Sequence, residues 1–453
     1  MRFIADLQIH SKYSRATSKD MVLEQIDCWA GNKGILVMGT GDFTHPAWFN
    51  EIKTKLEPAE PGLFKLKKEF KWPTVRGSFS ETRFMLTVEI SGIYSRLSKS
   101  GVKKVYRIHN MIFSPDMETA EKINTQLSWV GNLASDGRPI LGLDSEELAK
   151  IVFNINPEAV IVPAHAWTPW FSLFGSMSGF DSIEECFGQY AKNIFAVETG
   201  LSSDPAMNWR LSQLDNISLI SNSDSHSLPR IGREANIFDT NLSYDGIIEA
   251  IKDGVPAARI SADNNQRESA KFVATIEFFP EEGKYHFDGH RDCGIVFSPE
   301  ESKKHKNLCP KCGKKLTIGV LNRVEVLADR PLIDVKVDGY LHKYENRVPY
   351  YNLVPLDEVI AKVYHMGTAS RKVKDEYENL IKRFGGEFPV LMEKSAEELR
   401  AGGVDEKIIA GITAIREGKI RFDPPGYDGE YGKMVFTELN LSGQKEDAQK
   451  SLF

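Results

Sequence analysis

Short β-branched runs alternate with helix-period segments over the first 260 or so residues, and this alternation limits the fold more than any other feature of the chain. Strand-like runs fall at 2–9, 34–38, 83–90, 106–113, 159–163, 196–198 and 218–221, with helical segments at 21–32, 117–129, 144–154 and 244–252. Repeated βα units imply crossover connections and a parallel sheet, either doubly wound or closed as a barrel. Such a sheet collects its reactive residues just beyond the strands.

Those positions are filled with metal-ligand side chains: Gln8 and His10, Asp42 with His45, Glu89, His109, His165, and Asp224 with His226. On a strand, residues i and i+2 leave the same face, so the spacings Gln8-x-His10 and Asp224-x-His226 can aim both side chains at one ion. Nitrogen and oxygen donors without sulfur suit zinc, manganese or iron, and a set this large suits more than one ion. Such ions polarise a phosphoryl oxygen and activate a bound water, so no separate general base is required. Arg230 and Arg233, one helical turn apart, could clamp a scissile phosphate or form an ion pair. Ser11, Tyr13, Ser14 and Arg15 are further candidates beside the first motif.

Asp6-Leu-Gln-Ile-His10-Ser11, Gly41-Asp42, Thr87-Val-Glu89, Arg107-Ile-His109, Pro163-Ala-His165 and Ser223-Asp-Ser-His226 resemble the successive motifs of the PHP superfamily over about the first 265 residues. The resemblance implies an α/β fold built on a PHP-type distorted (β/α)7 barrel with two or three divalent metals (Zn2+, Mn2+ or Mg2+). It further implies that His10, Asp42, Glu89, His109, His165, Asp224 and His226 carry them, with Glu89 as the bridging carboxylate. His45 could instead support a ligand or contact substrate. The family has His where this chain has Gln8, and a neutral amide oxygen is a weaker ligand. That implies lower occupancy of one metal and slower turnover, whether the substitution is natural or introduced.

Cys309-x-x-Cys312 followed by Gly-Lys-Lys reads as a zinc knuckle, with Cys293 upstream. His290 is the chosen fourth ligand of one structural Zn2+; His286 and His305 are the alternatives. Cys28 and Cys186 read as buried hydrophobes, and the five cysteines do not suggest a disulfide framework. The zinc module and the Arg347-Val-Pro-Tyr350 tract narrow the resemblance to the endonuclease Q family, which nicks DNA 5′ to deaminated bases (uracil, hypoxanthine, xanthine) and abasic sites. The implied layout is 1–268 barrel, 269–335 zinc-binding module, 336–430 helical lesion-recognition region and 431–453 tail. Gln449, Leu452 and Phe453 resemble the sliding-clamp-binding peptide of bacterial repair proteins.

The formal charge of −6 argues against a nucleic-acid partner only as a sum. Between Lys53 and Arg107, 13 Lys/Arg face 5 Asp/Glu, and between Lys303 and Arg323 there are 7 Lys/Arg and no acid. Two basic islands in an acidic body can hold a polyanion locally. Lys303, Lys304, Lys311, Lys314 and Lys315 are expected to meet DNA phosphates, and Arg347 with Tyr350 an unstacked nucleotide. No apolar run approaches the roughly 20 residues of a bilayer-spanning helix, and the start turns polar too early for a secretory signal. The expectation is a cytoplasmic monomer that does not contact membrane. Two other readings remain: a PHP phosphoesterase on a small phosphate ester, and a catalytically impaired DNA- or clamp-binding scaffold.

Overall fold

A computed structural model describes residues 1–97, 101–255 and 270–437 as a mixed α/β fold. The first strand, Arg2–Asp6, pairs in parallel with Val37–Gly39 and antiparallel with Ala235–Thr240. Val37–Gly39 runs parallel to Arg83–Leu97, which is antiparallel to Lys103–Ser114, itself antiparallel to Val160–Pro163. On the other flank Ala235–Thr240 is antiparallel to Ala270–Glu277, which takes Tyr350–Asn352 in parallel. Ala196–Glu198 and Ser218–Ile220 form a separate parallel pair.

The sheet is therefore not uniformly parallel. Leu97 registers with Lys103 across a connection too short for a crossover helix, so those strands form a hairpin. The hairpin also lengthens both strands toward its turn, so Glu89 and His109, which fall within the runs 83–90 and 106–113, sit well inside strands. Trp48, Phe84, Phe113, Phe238 and Phe272 are fully buried in the core. Helix starts are fixed by side chains that accept otherwise unpaired N–H groups: Asp116 from Thr119, Asp144 from Glu146 and Ser243 from Gly246.

Secondary structure crosses the expected limits at three places. The main sheet runs past 268, because Ala270–Glu277 and Tyr350–Asn352 belong to it. Residues 336–352 form strands, so the helical end begins at Leu356–Val363 and continues through Arg371–Phe384, Ala396–Ala401 and Glu406–Arg416. The start of the expected tail is structured, since Met434–Phe436 pairs with Ile420–Phe422. Gln449, Leu452 and Phe453, the clamp-peptide residues, lie outside the described residues. Among the described residues no helix is long and apolar enough to cross a membrane.

The helical end docks on the helix Leu23–Lys33 through a buried ion pair. The Lys33 ammonium lies 2.8 Å from Glu387 Oε2, which also accepts the Tyr377 hydroxyl at 2.7 Å, while Oε1 accepts the Leu356 N–H at 3.1 Å. Removing one partner would strand a buried charge at a cost of about 3–5 kcal/mol. Asp27 on the same helix is buried and neither of its carboxylate oxygens has a partner. Burial pushes its pKa up to about 7. The unfolded chain loses this proton near pH ~4. Between those values the unfolded state binds fewer protons than the folded one, so stability falls as pH rises. Asp27→Asn is expected to raise the melting temperature at pH 8 and leave it nearly unchanged at pH 4, as thermal melts at the two pH values will measure.

Candidate active site

Residues 8–10, continuing the first strand, carry Gln8 and His10 to the same side, where His10 is fully buried. Its Nδ1 lies 3.0 Å from Asp42 Oδ1, leaving Nε2 to face Glu89 Oε2 at 2.9 Å and Asp224 Oδ1 at 3.1 Å. The turn after Ser218–Ile220 brings in Asp224 and His226, whose Nδ1 lies 3.0 Å from the Asp224 carbonyl. His10, Asp224 and His226 present ligand atoms all within 4.8 Å of one another.

A second triad of the same compactness joins Glu89, His109 and His165. Ser91 and His109 are cross-strand partners, and the Ser91 hydroxyl meets His109 Nε2 at 3.1 Å. Thr168 holds His165 Nδ1 at 3.1 Å. The inward nitrogens, His109 Nδ1 and His165 Nε2, are then 3.2 Å apart and both face Glu89 Oε1. In each of the four rings one nitrogen meets an outer group and the other is left for the pocket, the arrangement that fixes imidazole as a metal ligand. Burial lowers the His109 pKa to about 4 against the pull of Glu89, so the ring stays neutral with a lone pair to donate.

Glu89 joins the two groups. Its Oε1 faces His109 and His165, while Oε2 faces His10, accepts Gln8 Nε2 at 3.1 Å and accepts Arg138 Nη1 at 3.3 Å. Burial would raise its pKa, but His109, Arg138 and His10 outweigh that and hold it well below the usual carboxylate range. Gln8 Oε1 is buried with no hydrogen-bond partner, an acceptor that a cation would satisfy. Donor type, the neutral His109 ring and this orphan oxygen fit a cation centre, while against burial the facing carboxylates raise the pKa of His10 and His165.

Asp42 and His45 belong to neither triad. Asp42 stands behind His10, and its Oδ2 accepts the Ser11 N–H at 2.6 Å and the Ser11 and Ser14 hydroxyls at 2.7 and 2.9 Å. Burial raises its pKa, but His10 and these donors prevail and keep it ionised. Gly137 packs so closely that a Cβ there would lie 2.3 Å from Asp42 Oδ2. His45 accepts the Trp48 N–H at 3.4 Å as the cap of helix Pro46–Lys55 and stacks on Tyr13. In this structure Asp42 backs His10 and His45 caps a helix, outside both triads.

Both triads open into one pocket of about 730 Å3, whose wall includes Trp170, Phe171, Tyr285 and Tyr431. Non-glycine residues with positive φ cluster at the site: Ala16 at 58°, Asp42 at 49°, His165 at 29°, Phe171 at 63° and Asp224 at 45°. Each costs of order 1–3 kcal/mol and is held by the structure around it, as is common where geometry serves function. Arg230 lines the pocket and pairs with Glu358 of the helical end. Arg233 donates to the Ser223 carbonyl at 2.8 Å and to the Tyr431 hydroxyl at 3.0 Å. Arg138, Glu198 and Tyr431 were not legible as site residues. Glu198 sits behind His165, accepting its N–H at 2.6 Å, and burial pushes its pKa up to about 8.

At the second site His290, Cys293, Cys309 and Cys312 bring their ligand atoms within 4.8 Å of one another. His286 instead turns to the Ser202 carbonyl at 3.0 Å, and His305 stacks on Phe297. Lys303, Lys304, Lys311, Lys314 and Lys315 are exposed around the cluster, with the Lys311 ammonium donating to the Cys293 carbonyl. The nucleotide-facing expectation for Arg347 and Tyr350 is corrected. Arg347 pairs with Asp215 at 2.6 Å, and Tyr350 is buried against Trp209 and His342 as a sheet residue.

Known proteins resemble this arrangement along the whole chain. The family model for the MJ0043 C-terminal domain matches residues 355–419. The chain is 33% identical over 318 residues to MJ0043 of Methanocaldococcus jannaschii, covering 68% of this chain but only 37% of that protein's length. It is 28% identical over 334 residues to YqxK of Bacillus subtilis, covering 72% and 73% of the two chains. The crystal structure of the lesion-specific endonuclease PfuEndoQ from Pyrococcus furiosus matches with a TM-score of 0.78 and 30% identity, over 99% of this chain and 98% of that one. An endonuclease Q structure in complex with a 27-mer duplex carrying an abasic lesion at its active site matches at 0.79 and 29%, over 99% and 100%.

Proposed function

Because the chain belongs to the endonuclease Q family, we propose that it is a metal-dependent endonuclease that nicks duplex DNA 5′ to deaminated bases and abasic sites. The observation that carries this reading is Glu89, whose two oxygens divide between two ligand groups in a single pocket. In this reading residues 1–268 are a PHP-type distorted (β/α)7 barrel to which later strands are added. His10, Asp224 and His226 would hold one divalent cation and His109 with His165 another, with Glu89 shared and Gln8 Oε1 a weak donor to a further position. Zn2+, Mn2+ and Mg2+ all remain candidates for this nitrogen and oxygen set. When bound, such cations polarise a phosphoryl oxygen and lower the pKa of a water.

The chain's own residues supply the rest. Asp42 orients His10, and Thr168 and Ser91 orient His165 and His109. Arg138 and Arg230 bring positive charge to the pocket where a phosphodiester would lie. Trp170, Phe171, Tyr285 and Tyr431 offer stacking faces to an extruded nucleotide, in place of Tyr350. The three thiols and one imidazole of Cys293, Cys309, Cys312 and His290 suit one closed structural Zn2+, and the lysines around them suit the DNA backbone. The tail at Gln449, Leu452 and Phe453 is proposed as a sliding-clamp tether.

The test is a labelled duplex with one deoxyuridine, deoxyinosine or abasic site, incubated with Mn2+, Mg2+ or Zn2+. Nicking 5′ to the lesion is the expected result. Phosphate release from small esters without DNA cleavage would replace the proposal with a phosphoesterase. Binding without cutting, by this chain and by Gln8→His alike, would replace it with a scaffold. Gln8→His is expected to raise metal content and speed turnover by roughly tenfold, the scale on which single metal-site partners act. Equal metal content and rate in the two proteins would remove Gln8 from the account.

A further inference from the structure

A second cavity of about 540 Å3 lies in the seam between helix Leu23–Lys33, the turn 73–75 and helix Arg371–Phe384. Trp29 and Tyr377 line it with their rings stacked 6.1 Å apart, and Val75, Leu228 and Val373 complete a largely apolar wall. Its charges are unbalanced. Asp20, Asp357 and Glu378 face it, against Lys374 and a Lys33 whose ammonium is already taken by Glu387. Among the described residues no side chain forms a hydrogen bond or ion pair with the Asp357 carboxylate; burial raises its pKa, and the more distant Lys33 and Arg230 charges only partly offset that. A volume of this size with aromatic faces and surplus negative charge suits a small cation with a flat apolar body.

Adjacent residues tie this cavity to the metal pocket. Leu228 and Pro229 line the side cavity while Arg230 lines the metal pocket. Asp357 lines the side cavity while Glu358 holds Arg230. Two short segments therefore each put one residue in the side cavity and the next in an ion pair at the edge of the metal pocket. We propose that the side cavity is a binding site for a small organic cation with a flat apolar body, coupled to the metal pocket through the Arg230–Glu358 pair. A ligand against Leu228, Pro229 and Asp357 favours the arrangement in which Arg230 stays on Glu358. A DNA phosphate needs Arg230 released, so the two ligands oppose each other, each weakening the other by the same factor.

The probe is 4-aminobenzamidine, a flat aromatic amidinium that fluoresces more strongly in apolar surroundings. Titrated into the full chain without DNA, it should give a saturable fluorescence rise, with affinity at least fivefold weaker in Asp357→Asn and about twofold weaker in Glu378→Gln. Thermal melts check that both variants stay folded. The absence of saturation, or unchanged affinity in both folded variants, would overturn the site. The coupling rests on the reading of the metal pocket as a DNA site and is measured separately. Saturating probe should weaken abasic-duplex binding several-fold in the parent chain and not in Glu358→Gln. Duplex affinity indifferent to saturating probe, or equally lowered in Glu358→Gln, would overturn the coupling. The fluorescence arm contains no DNA, so it stands or falls independently of the nuclease reading.

Discussion

Glu89→Gln is expected to lower nicking of an abasic duplex by about a thousandfold or more while leaving the chain folded. The substitution keeps the shape of the side chain and removes its charge at the point where His10, His109, His165 and Arg138 converge. Each ligand group would lose its shared carboxylate at once, and a buried Gln cannot neutralise two cations. Metal content measured on the purified protein should therefore fall at more than one position. Asp224→Asn, which touches only the His10 side, should remove less metal and cost less activity. The comparison separates a shared carboxylate from an ordinary ligand. Nicking by Glu89→Gln within tenfold of the parent, or metal loss no greater than in Asp224→Asn, would end the two-cation account.

The clustering of His10 with Asp224 and His226, and of Glu89 with His109 and His165, was foreshadowed in part because period-two spacing on a strand is a local property. Gln8-x-His10 needs no tertiary information to share a face, and the Cys309-x-x-Cys312 turn carries its own geometry. Sequence says least where the deciding partner is distant along the chain. His45 looked like a ligand, but an imidazole at the start of a helix can equally accept an N–H three residues on. Asp42 matched a ligand motif, yet Ser11 and Ser14 saturate one of its oxygens and His10 takes the other. Interleaved aromatic and basic residues at 340–351 suggested stacking on a nucleotide. The same alternation is what a sheet strand shows, and Asp215, more than a hundred residues upstream, neutralises Arg347. Arg138 and Tyr431 carried no signal because each reaches the pocket from a loop whose course only the folded chain fixes. The α/β reading holds with parallel and antiparallel pairs mixed, since the strand-like runs at 83–90 and 106–113 understated a hairpin that reaches Leu97 and Lys103.

Cys309→Ser is expected to unfold the segment 288–317 without emptying the Glu89 centre, whereas a chelator should unfold the segment and strip both centres. This segment has little core of its own: Cys309 and Leu316 are buried, while Ile295, Val296 and Phe297 are only half-buried. Structural zinc in modules of this size contributes an apparent ~10–16 kcal/mol to folding at neutral pH, far more than those side chains can supply. Main-chain bonds from the Cys309 N–H to Lys314 and from the Gly313 N–H to Cys309 are the ones at risk, and hydrogen exchange at those amides reports them directly. The effect should also reach the pocket. Ser176 donates to the Ile318 carbonyl at 2.8 Å and Arg323 donates to the Phe174 carbonyl at 2.8 Å, so the module braces the loop that carries Trp170 and Phe171. Duplex affinity should fall, and fall more steeply with salt in the parent than in the variant, because the lysine cluster is lost as an ordered face. Unchanged amide protection at 309 and 313 after chelation would mean that no structural ion holds the module, and its four ligands would then need another role.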